Sequence, residues 1–101
     1  AEAWRGDVVA TAKRDLQAGE VLDGEGGAMV WGRCVPAARS LELGALPIGL
    51  AHGFALKRAV KLGETVGWAD VAFDAASEAV KLRREMEAAA ALGGRRRAAA
   101  E

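Results

Sequence analysis

The sequence lacks most of the side chains from which disulfides, metal centres and charged binding surfaces are built. Among 101 residues there is one cysteine and one histidine, and the 14 basic side chains are balanced by 14 acidic ones. The single cysteine, Cys34, excludes an intrachain disulfide and a cysteine-based zinc site. His52 is alone, which argues against a histidine metal cluster. With a formal charge of zero, the chain lacks the excess positive charge expected of a protein that binds nucleic acid or an anionic membrane.

Two further absences concern location. The apolar stretches are far shorter than the roughly 18 residues that indicate a membrane span. No basic segment followed by an apolar stretch opens the chain, so we expect no signal peptide, and the lone thiol predicts a cytoplasmic protein. A chain that begins with Ala1 instead of methionine is expected to come from a longer polypeptide. Its length suffices for one domain.

Nucleotide and hydrolase motifs are incomplete. The glycine-rich segment 24–29 has methionine at the third glycine position of the dinucleotide fingerprint, and no helix follows it, so it is interpreted as a bend. Neither Ser40 nor Ser77 lies in a Gly-x-Ser-x-Gly elbow. The motifs of this chain therefore assign no catalytic, cofactor-binding or metal-binding residue.

Two segments, 12–22 and 56–66, match at an offset of 44 residues. Each contains a Lys-Arg pair and, six residues after its lysine, a Gly-Glu pair. Each predicts a short strand, a tight turn and a second short strand, with Gly19 and Gly63 supplying the positive φ of the turn. Stacked arrays need about three repeats to bury a continuous core, so two copies indicate one pseudo-symmetric domain.

The remaining elements are predicted from apolar runs and breakers. Residues 28–35 predict a strand that Pro36 ends, and residues 71–73 predict the last strand. The stretch 46–53 is apolar but interrupted by proline and glycine, which favours an edge or bent strand. For residues 37–45 a helical turn and a loop are equally compatible with the sequence.

The end of the chain has helical character. Residues 75–92 are strong helix formers, with Asp74 as the predicted cap and Gly93-Gly94 as the predicted stop. The pairs Lys81–Glu85 and Arg83–Glu87 are expected on a solvated face. The predicted apolar stripe consists of Ala79, Leu82, Met86 and Ala89. The tail from Arg95 has no apolar pattern and is expected to fray.

Individual polar residues leave alternatives open. His52 is either a turn histidine bonded to nearby backbone or a group presented to a ligand or a partner domain. Cys34 predicts a buried small hydrophobe, with a reactive thiol as the alternative. The two Lys-Arg pairs, residues 13–14 and 57–58, are either solvated strand-end charges or one anion-binding patch across the pseudo-axis.

The doubled pattern, Ala-Lys-Arg-Asp-Leu-x-Ala-Gly-Glu-Val-Leu and Leu-Lys-Arg-x-Val-x-x-Gly-Glu-x-Val, resembles the SAF (antifreeze-like) domain. The resemblance covers residues 7–74 and implies a mainly β fold, the β-clip, in which a long bent hairpin is wrapped on itself. More narrowly, residues 22–27 (Leu-Asp-Gly-Glu-Gly-Gly) and 46–53 (Leu-Pro-Ile-Gly-Leu-Ala-His-Gly) look like the C-terminal SAF domain of homoserine-dehydrogenase-like oxidoreductases. Reductoisomerase-like enzymes acting on deoxyxylulose phosphate share that architecture.

The resemblance implies a linker at 1–6, a β-clip at 7–74, a helix at 75–93 and a flexible tail at 94–101. It implies a non-catalytic accessory domain that shapes the active site or the subunit interface of an NAD(P)-dependent oxidoreductase. The partner would be an upstream Rossmann-type domain of the same polypeptide, which would bind the cofactor. By similarity to sialic acid synthases, Arg33 stands near the position of an arginine that reaches the substrate of a partner subunit.

Two other functions fit the same residues. A stand-alone SAF module would recognise a sugar acid or an assembly partner, with Lys57, Arg58 and His52 contacting the ligand. A purely structural domain would use its exposed strand edges to form a homo-oligomer. On every one of these hypotheses we expect neither a nucleic acid nor a membrane as the partner.

Overall fold

The computed structural model describes the backbone of residues 6–100 and the side chains of residues 6–91. Its described residues form two compact units, one of residues 6–73 and a C-terminal one that begins at Asp74. The strands are β1 (Gly6–Ala12), β2 (Val21–Asp23), β3 (Val30–Pro36), β4 (His52–Leu56) and β5 (Val71–Ala72). The helices are α1 (Ala37–Leu43) and α2 (Glu78–Ala100), and two 3₁₀ turns cover Ile48–Leu50 and Trp68–Asp70.

All of the strand pairing is antiparallel. Strands β1 and β3 form a two-stranded sheet, and β2, β4 and β5 form a three-stranded sheet with β4 in the centre. The predicted mainly β fold with a C-terminal helix is thereby confirmed. Apolar strand residues supply most of the core of the first unit. The fully buried large side chains of this unit are Leu16, Leu22, Leu46, Val9, Val30, Val66, Val71 and Thr11.

The two matching segments are hydrogen-bonded to each other at equivalent positions. Leu16 and Val60, which lie 44 residues apart, exchange both backbone hydrogen bonds, with N···O distances of 2.7 and 3.0 Å. The remaining bonds also occur in matched pairs. Gly19 N–H donates to Leu56 O and Gly63 N–H to Ala12 O (2.8 and 2.9 Å), while Leu56 N–H donates to Glu20 O and Ala12 N–H to Glu64 O (2.8 and 2.9 Å). Each segment therefore supplies hydrogen-bond partners for backbone N–H and C=O groups of the other.

Both segments turn at the glycine that the sequence indicated. Gly19 and Gly63 have φ values of 92° and 84°, in the region that side chains with a Cβ rarely adopt. In each turn the glutamate that follows the glycine accepts a backbone N–H through its carboxylate. Gln17 donates to Glu20 at 2.7 Å, and Lys61 donates to Glu64 at 2.8 Å.

The stretch 46–53 differs from its prediction. Instead of one bent strand, Pro47 begins a 3₁₀ turn over Ile48–Leu50, and a regular strand starts only at His52. Pro47 has φ −62°, which suits the residue before a helical turn, and it forms only an isolated bridge with Val9. The undecided stretch 37–45 contains α1, which ends at Gly44 in a left-handed conformation with φ 60°.

Helix α2 starts later and ends later than predicted. Asp74 caps a turn instead of the helix, since its carboxylate accepts the Ala76 N–H at 2.9 Å. The first helical bond runs from Lys81 N–H to Ser77 O, which places Ser77 at the N-cap. The helix then continues through Gly93-Gly94, because helix formers follow the two glycines, so the predicted stop is wrong.

The faces of α2 also differ from the prediction. Leu82 and Met86 of the predicted apolar stripe are 64% and 38% exposed, whereas Val80 is 1% exposed. The predicted Arg83–Glu87 pair is present at 2.8 Å, but both of its side chains are nearly buried instead of solvated. The face that is withdrawn from solvent is therefore built on Val80 and this ion pair.

Candidate functional site

The Lys57-Arg58 pair lies just after β4, where Asp70 bonds to both residues, to Lys57 through its backbone carbonyl and to Arg58 through its carboxylate. Lys57 N–H donates to Asp70 O at 2.7 Å. Arg58 Nε donates to Asp70 Oδ1, and Gly67 N–H donates to Asp70 Oδ2 at 2.8 Å. Asp70 is 7% exposed, so the largely exposed guanidinium of Arg58 compensates an otherwise buried carboxylate. Arg58 thus has a clear role in holding the fold together.

The equivalent Lys13-Arg14 pair in the first segment is also hydrogen-bonded within the domain. Arg14 binds Glu20 through two hydrogen bonds of 2.8 and 3.2 Å, and Lys13 Nζ donates to Gly27 O at 2.6 Å. The hydrogen bond from Arg14, aided by the Gln17 N–H, lowers the pKa of Glu20 to about 2. Both arginines of the two Lys-Arg pairs are therefore neutralised by carboxylates. An anion-binding patch made from these pairs would first have to release them.

Arg33 and His52 lie on different sheets. Arg33 is an exposed residue of β3, and its guanidinium donates to Thr65 Oγ1 at 3.1 Å. His52 opens β4, where it is exposed and faces Asp23 across an irregular step in the strand pairing. A Cβ added at Gly24 would lie 3.2 Å from the Cβ of His52, so glycine permits the close approach of this loop.

The structure brings Lys57 and Arg58 together but gives the other two predicted residues separate positions. Within residues 6–91, no hydrogen bond or ion pair joins Arg33, His52 and the Lys57-Arg58 pair to one another. Of these four, His52 and Lys57 remain exposed with no side-chain hydrogen bond in the described part of the chain. They are the predicted contact residues that are available without breaking an existing bond.

The sequence did not reveal an open apolar groove at the end of the β1–β3 sheet. The groove has a volume of about 840 Å³, and we call it the Val8 groove. The lining residues are Gly6, Asp7, Val8, Cys34, Val35, Pro36, Pro47, Ile48 and Gly49. The groove forms because β1 and β3 end beside the 3₁₀ turn, and the sequence pattern had predicted a strand in place of that turn.

Cys34 lies in this groove and is exposed, so the expectation of a buried cysteine is wrong. It faces Val8 directly across the strand pair, and both side chains are on the face that the groove leaves open. Near them, the buried Asp7 carboxylate accepts hydrogen bonds from Ser40 Oγ and, at 3.1 Å, from Val8 N–H. The polar groups of the groove are thus one exposed thiol and one carboxylate bonded to its own surroundings.

The part of the chain that the structure describes contains neither a candidate metal site nor a candidate membrane-spanning helix. No group of three or more histidine, cysteine, aspartate or glutamate residues is placed there to hold a metal ion. No described helix has both the length and the apolar character needed to cross a membrane.

No protein-family model matches the chain, and no curated protein sequence is significantly similar to it.

Proposed function

We propose that residues 6–73 form a SAF-type β-clip with a pseudo-twofold internal repeat. The observation that carries this proposal is the matched exchange of hydrogen bonds between the segments at 12–22 and 56–66. Exchanging the two segments converts each of these bonds into another bond of the same set. A long hairpin folded back on itself produces this pattern, whereas two separate hairpins would each bond within themselves.

We further propose that the domain is a non-catalytic accessory part of an NAD(P)-dependent, homoserine-dehydrogenase-like oxidoreductase. In this role it shapes the active site or the subunit interface formed with a Rossmann-type domain. The proposal rests on the resemblance of residues 22–27 and 46–53 to that family, and it is supported by how the basic residues are used. Arg14 and Arg58, the arginines of the anion-binding patch considered above, hold carboxylates of their own domain.

In this interpretation the contact with the larger enzyme is made where residues 22–27 and the start of β4 meet. Asp23 and His52 lie opposite each other there, and the turn beside them has positive φ at Gly24 and Gly26 (82° and 83°). Asp23 stabilises the loop because its carboxylate accepts the Ala28 N–H at 2.9 Å. The exposed His52 imidazole lies beside this turn, at the start of β4, where it is available to a neighbouring domain.

The proposal is tested by sequencing the coding region upstream of Ala1, over roughly 1,000 bases for two typical domains. We expect an in-frame strand, a Gly-x-Gly-x-x-Gly turn and a helix, which together bind a dinucleotide. Calorimetry on the 101-residue chain provides the second arm, in which we expect no heat of binding with NADPH. Micromolar affinity of this chain for NADPH would contradict the accessory role.

The alternative function is a stand-alone module that recognises a sugar acid, and the exposed, unbonded ammonium of Lys57 favours it. A carboxylate ligand held by Lys57 would shift the NMR signals of Lys57 and its neighbours on addition of altronate or sialate. Lys57→Met should abolish the shifts, whereas the control Lys81→Met on helix α2 should leave them unchanged. Flat spectra at millimolar ligand would remove this alternative.

A further inference from the structure

Strand β3 forms one edge of its sheet, and within residues 6–100 its outer side has no strand partner. Its neighbour β1 is bonded on both sides, because Ala10 N–H donates to Leu46 O and Ala10 O accepts from Val66 N–H, both at 2.9 Å. Among residues 6–100, which the structure describes, no strand or isolated bridge pairs with the outer edge of β3. A strand of seven residues therefore presents one open side.

The direction of the β1 bonds identifies the groups on this open side. Since both backbone groups of Ala10 point away from β3, the neighbouring Val9 is the residue that bonds to β3, where it faces Arg33. Backbone groups alternate in direction along a strand. The N–H and C=O groups of Gly32 and Cys34 therefore point outward, where another strand could accept and donate hydrogen bonds.

Little on β3 protects this edge. Its only charged side chain, Arg33, turns back over its own sheet to Thr65 Oγ1 and leaves the outer side open. Its only proline, Pro36, stands at the end of the strand. Trp31, 43% exposed, adds an aromatic surface beside the edge. Natural sheet edges are usually blunted by charges, prolines or covering segments, so an open edge of this kind is suited to pairing.

We propose that β3 pairs antiparallel with β3 of a second copy of this chain, in a two-fold dimer centred on Gly32. The two Gly32 residues then exchange hydrogen bonds, and each Cys34 bonds with the partner's Val30. Each Trp31 stands directly opposite the partner's Arg33, and an indole can pack against the aliphatic stem of an arginine. The inference goes beyond the proposed function because it needs no cofactor, no substrate and no second kind of polypeptide.

The sequence of β3 selects this register over its neighbours. Three antiparallel registers pair outward groups with outward groups and place both Gly32 and Cys34 opposite residues of the partner's β3, and they are centred on Gly32, Arg33 and Cys34. Centring on Arg33 would place two like charges directly opposite each other. Centring on Cys34 would place the partner's Pro36, which has no N–H, opposite Gly32. Only the Gly32 register satisfies the outward groups and also keeps the two Arg33 side chains apart.

Two substitutions of the exposed Trp31 test the dimer and its register by sedimentation over concentrations of ~10 µM to ~1 mM. Both variants lose the indole, so their comparison isolates the charge. In Trp31→Arg, the new arginine lies opposite the partner's Arg33 twice per dimer, whereas in Trp31→Glu the new side chain has the opposite charge. The dissociation constant of the Trp31→Arg dimer should therefore be at least about tenfold higher than that of the Trp31→Glu dimer. A strictly monomeric wild-type chain, or equal dissociation constants for the two variants, would overturn the proposal.

A backbone variant tests the edge itself. Cys34→Pro removes an outward N–H and leaves the bonds from β3 to β1 intact, which edge strands tolerate. It should abolish the dimer, whereas Cys34→Ser, which keeps the N–H, should not. A folded Cys34→Pro chain that still dimerises would contradict the proposed pairing. If this variant loses its fold by circular dichroism, the two Trp31 variants decide the question.

Discussion

Alanine substitution at the two turn glycines provides the most discriminating perturbation of this fold. Gly19 and Gly63 have φ values of 92° and 84°, and an added Cβ would meet no atom within 4 Å in either turn. The cost of alanine is therefore backbone strain alone, about 1–2 kcal/mol. Alanine also restricts the unfolded chain, which offsets roughly 0.4–1 kcal/mol of this strain. The free energy of unfolding should therefore fall by about 1 kcal/mol at each site.

Because the surroundings of the two glycines match, the two losses should be equal within about 0.5 kcal/mol. Each N–H is bonded to the other segment, Gly19 to Leu56 O and Gly63 to Ala12 O. For a domain of this size each substitution should lower the melting temperature by about 4–8 °C in thermal denaturation. Gly49→Ala is the matched control, since Gly49 also has open space but no positive φ, and it should cause no loss. A large loss at one turn glycine and none at the other would refute the reasoning.

Three other predictions concern single side chains. The Glu20 carboxyl should have a pKa of about 2 in carbon-detected NMR, and Arg14→Met should return this pKa toward 4.5. Because the pKa of Glu20 is lower in the folded than in the unfolded chain, the Arg14–Glu20 pair stabilises the fold above pH ~4.5, and this stabilisation is lost as the pH falls toward 2. Leu82→Asp should leave the melting temperature nearly unchanged, whereas Val80→Asp should lower it by roughly 10 °C or more, because the two residues are 64% and 1% exposed; equal effects would contradict the assigned helix face. Cys34 should react with a thiol reagent in the native protein at nearly its rate in denaturant, and protection by orders of magnitude would contradict its exposure.

Local signals in the sequence correctly predicted the turns and the β-rich core of the first unit. A Lys-Arg pair, a glycine and a glutamate recur at fixed spacing, and glycine is needed wherever φ is positive. Gly19 and Gly63 therefore marked both turns before any partner was known. The sequence also predicted that residues 12–22 and 56–66 are equivalent. It did not show that each segment bonds to the other, because strand pairing between distant segments depends on the path of the whole chain.

The errors arose where neighbouring residues or contacts between distant elements override the usual preference of a single residue. The glycines at 93–94 were expected to end a helix, but helix formers beyond them extend it to Ala100. Cysteine is usually buried, yet Cys34 lies on the open face of a two-stranded sheet, which no local pattern reveals. Leu82 and Val80 are both apolar, so the sequence alone did not distinguish the exposed Leu82 from the buried Val80.

The candidate site was only partly predictable for the same reason. Lys57 and Arg58 are adjacent in sequence and remain adjacent in the structure, but the carboxylate that holds Arg58 comes from Asp70, 12 residues further along the chain. The Val8 groove requires β1, β3 and the 3₁₀ turn to meet, so no single segment predicts it.

Our central proposal is that two equivalent segments wrap around each other to form one β-clip. NMR scalar couplings across hydrogen bonds, which connect the nitrogen of one residue to the carbonyl carbon of its acceptor, test it most directly. We expect couplings from Gly19 to Leu56 and from Gly63 to Ala12, together with the reciprocal couplings between Leu16 and Val60. Couplings confined to residues 12–22 on one side and 56–66 on the other would show two separate hairpins and would contradict the β-clip.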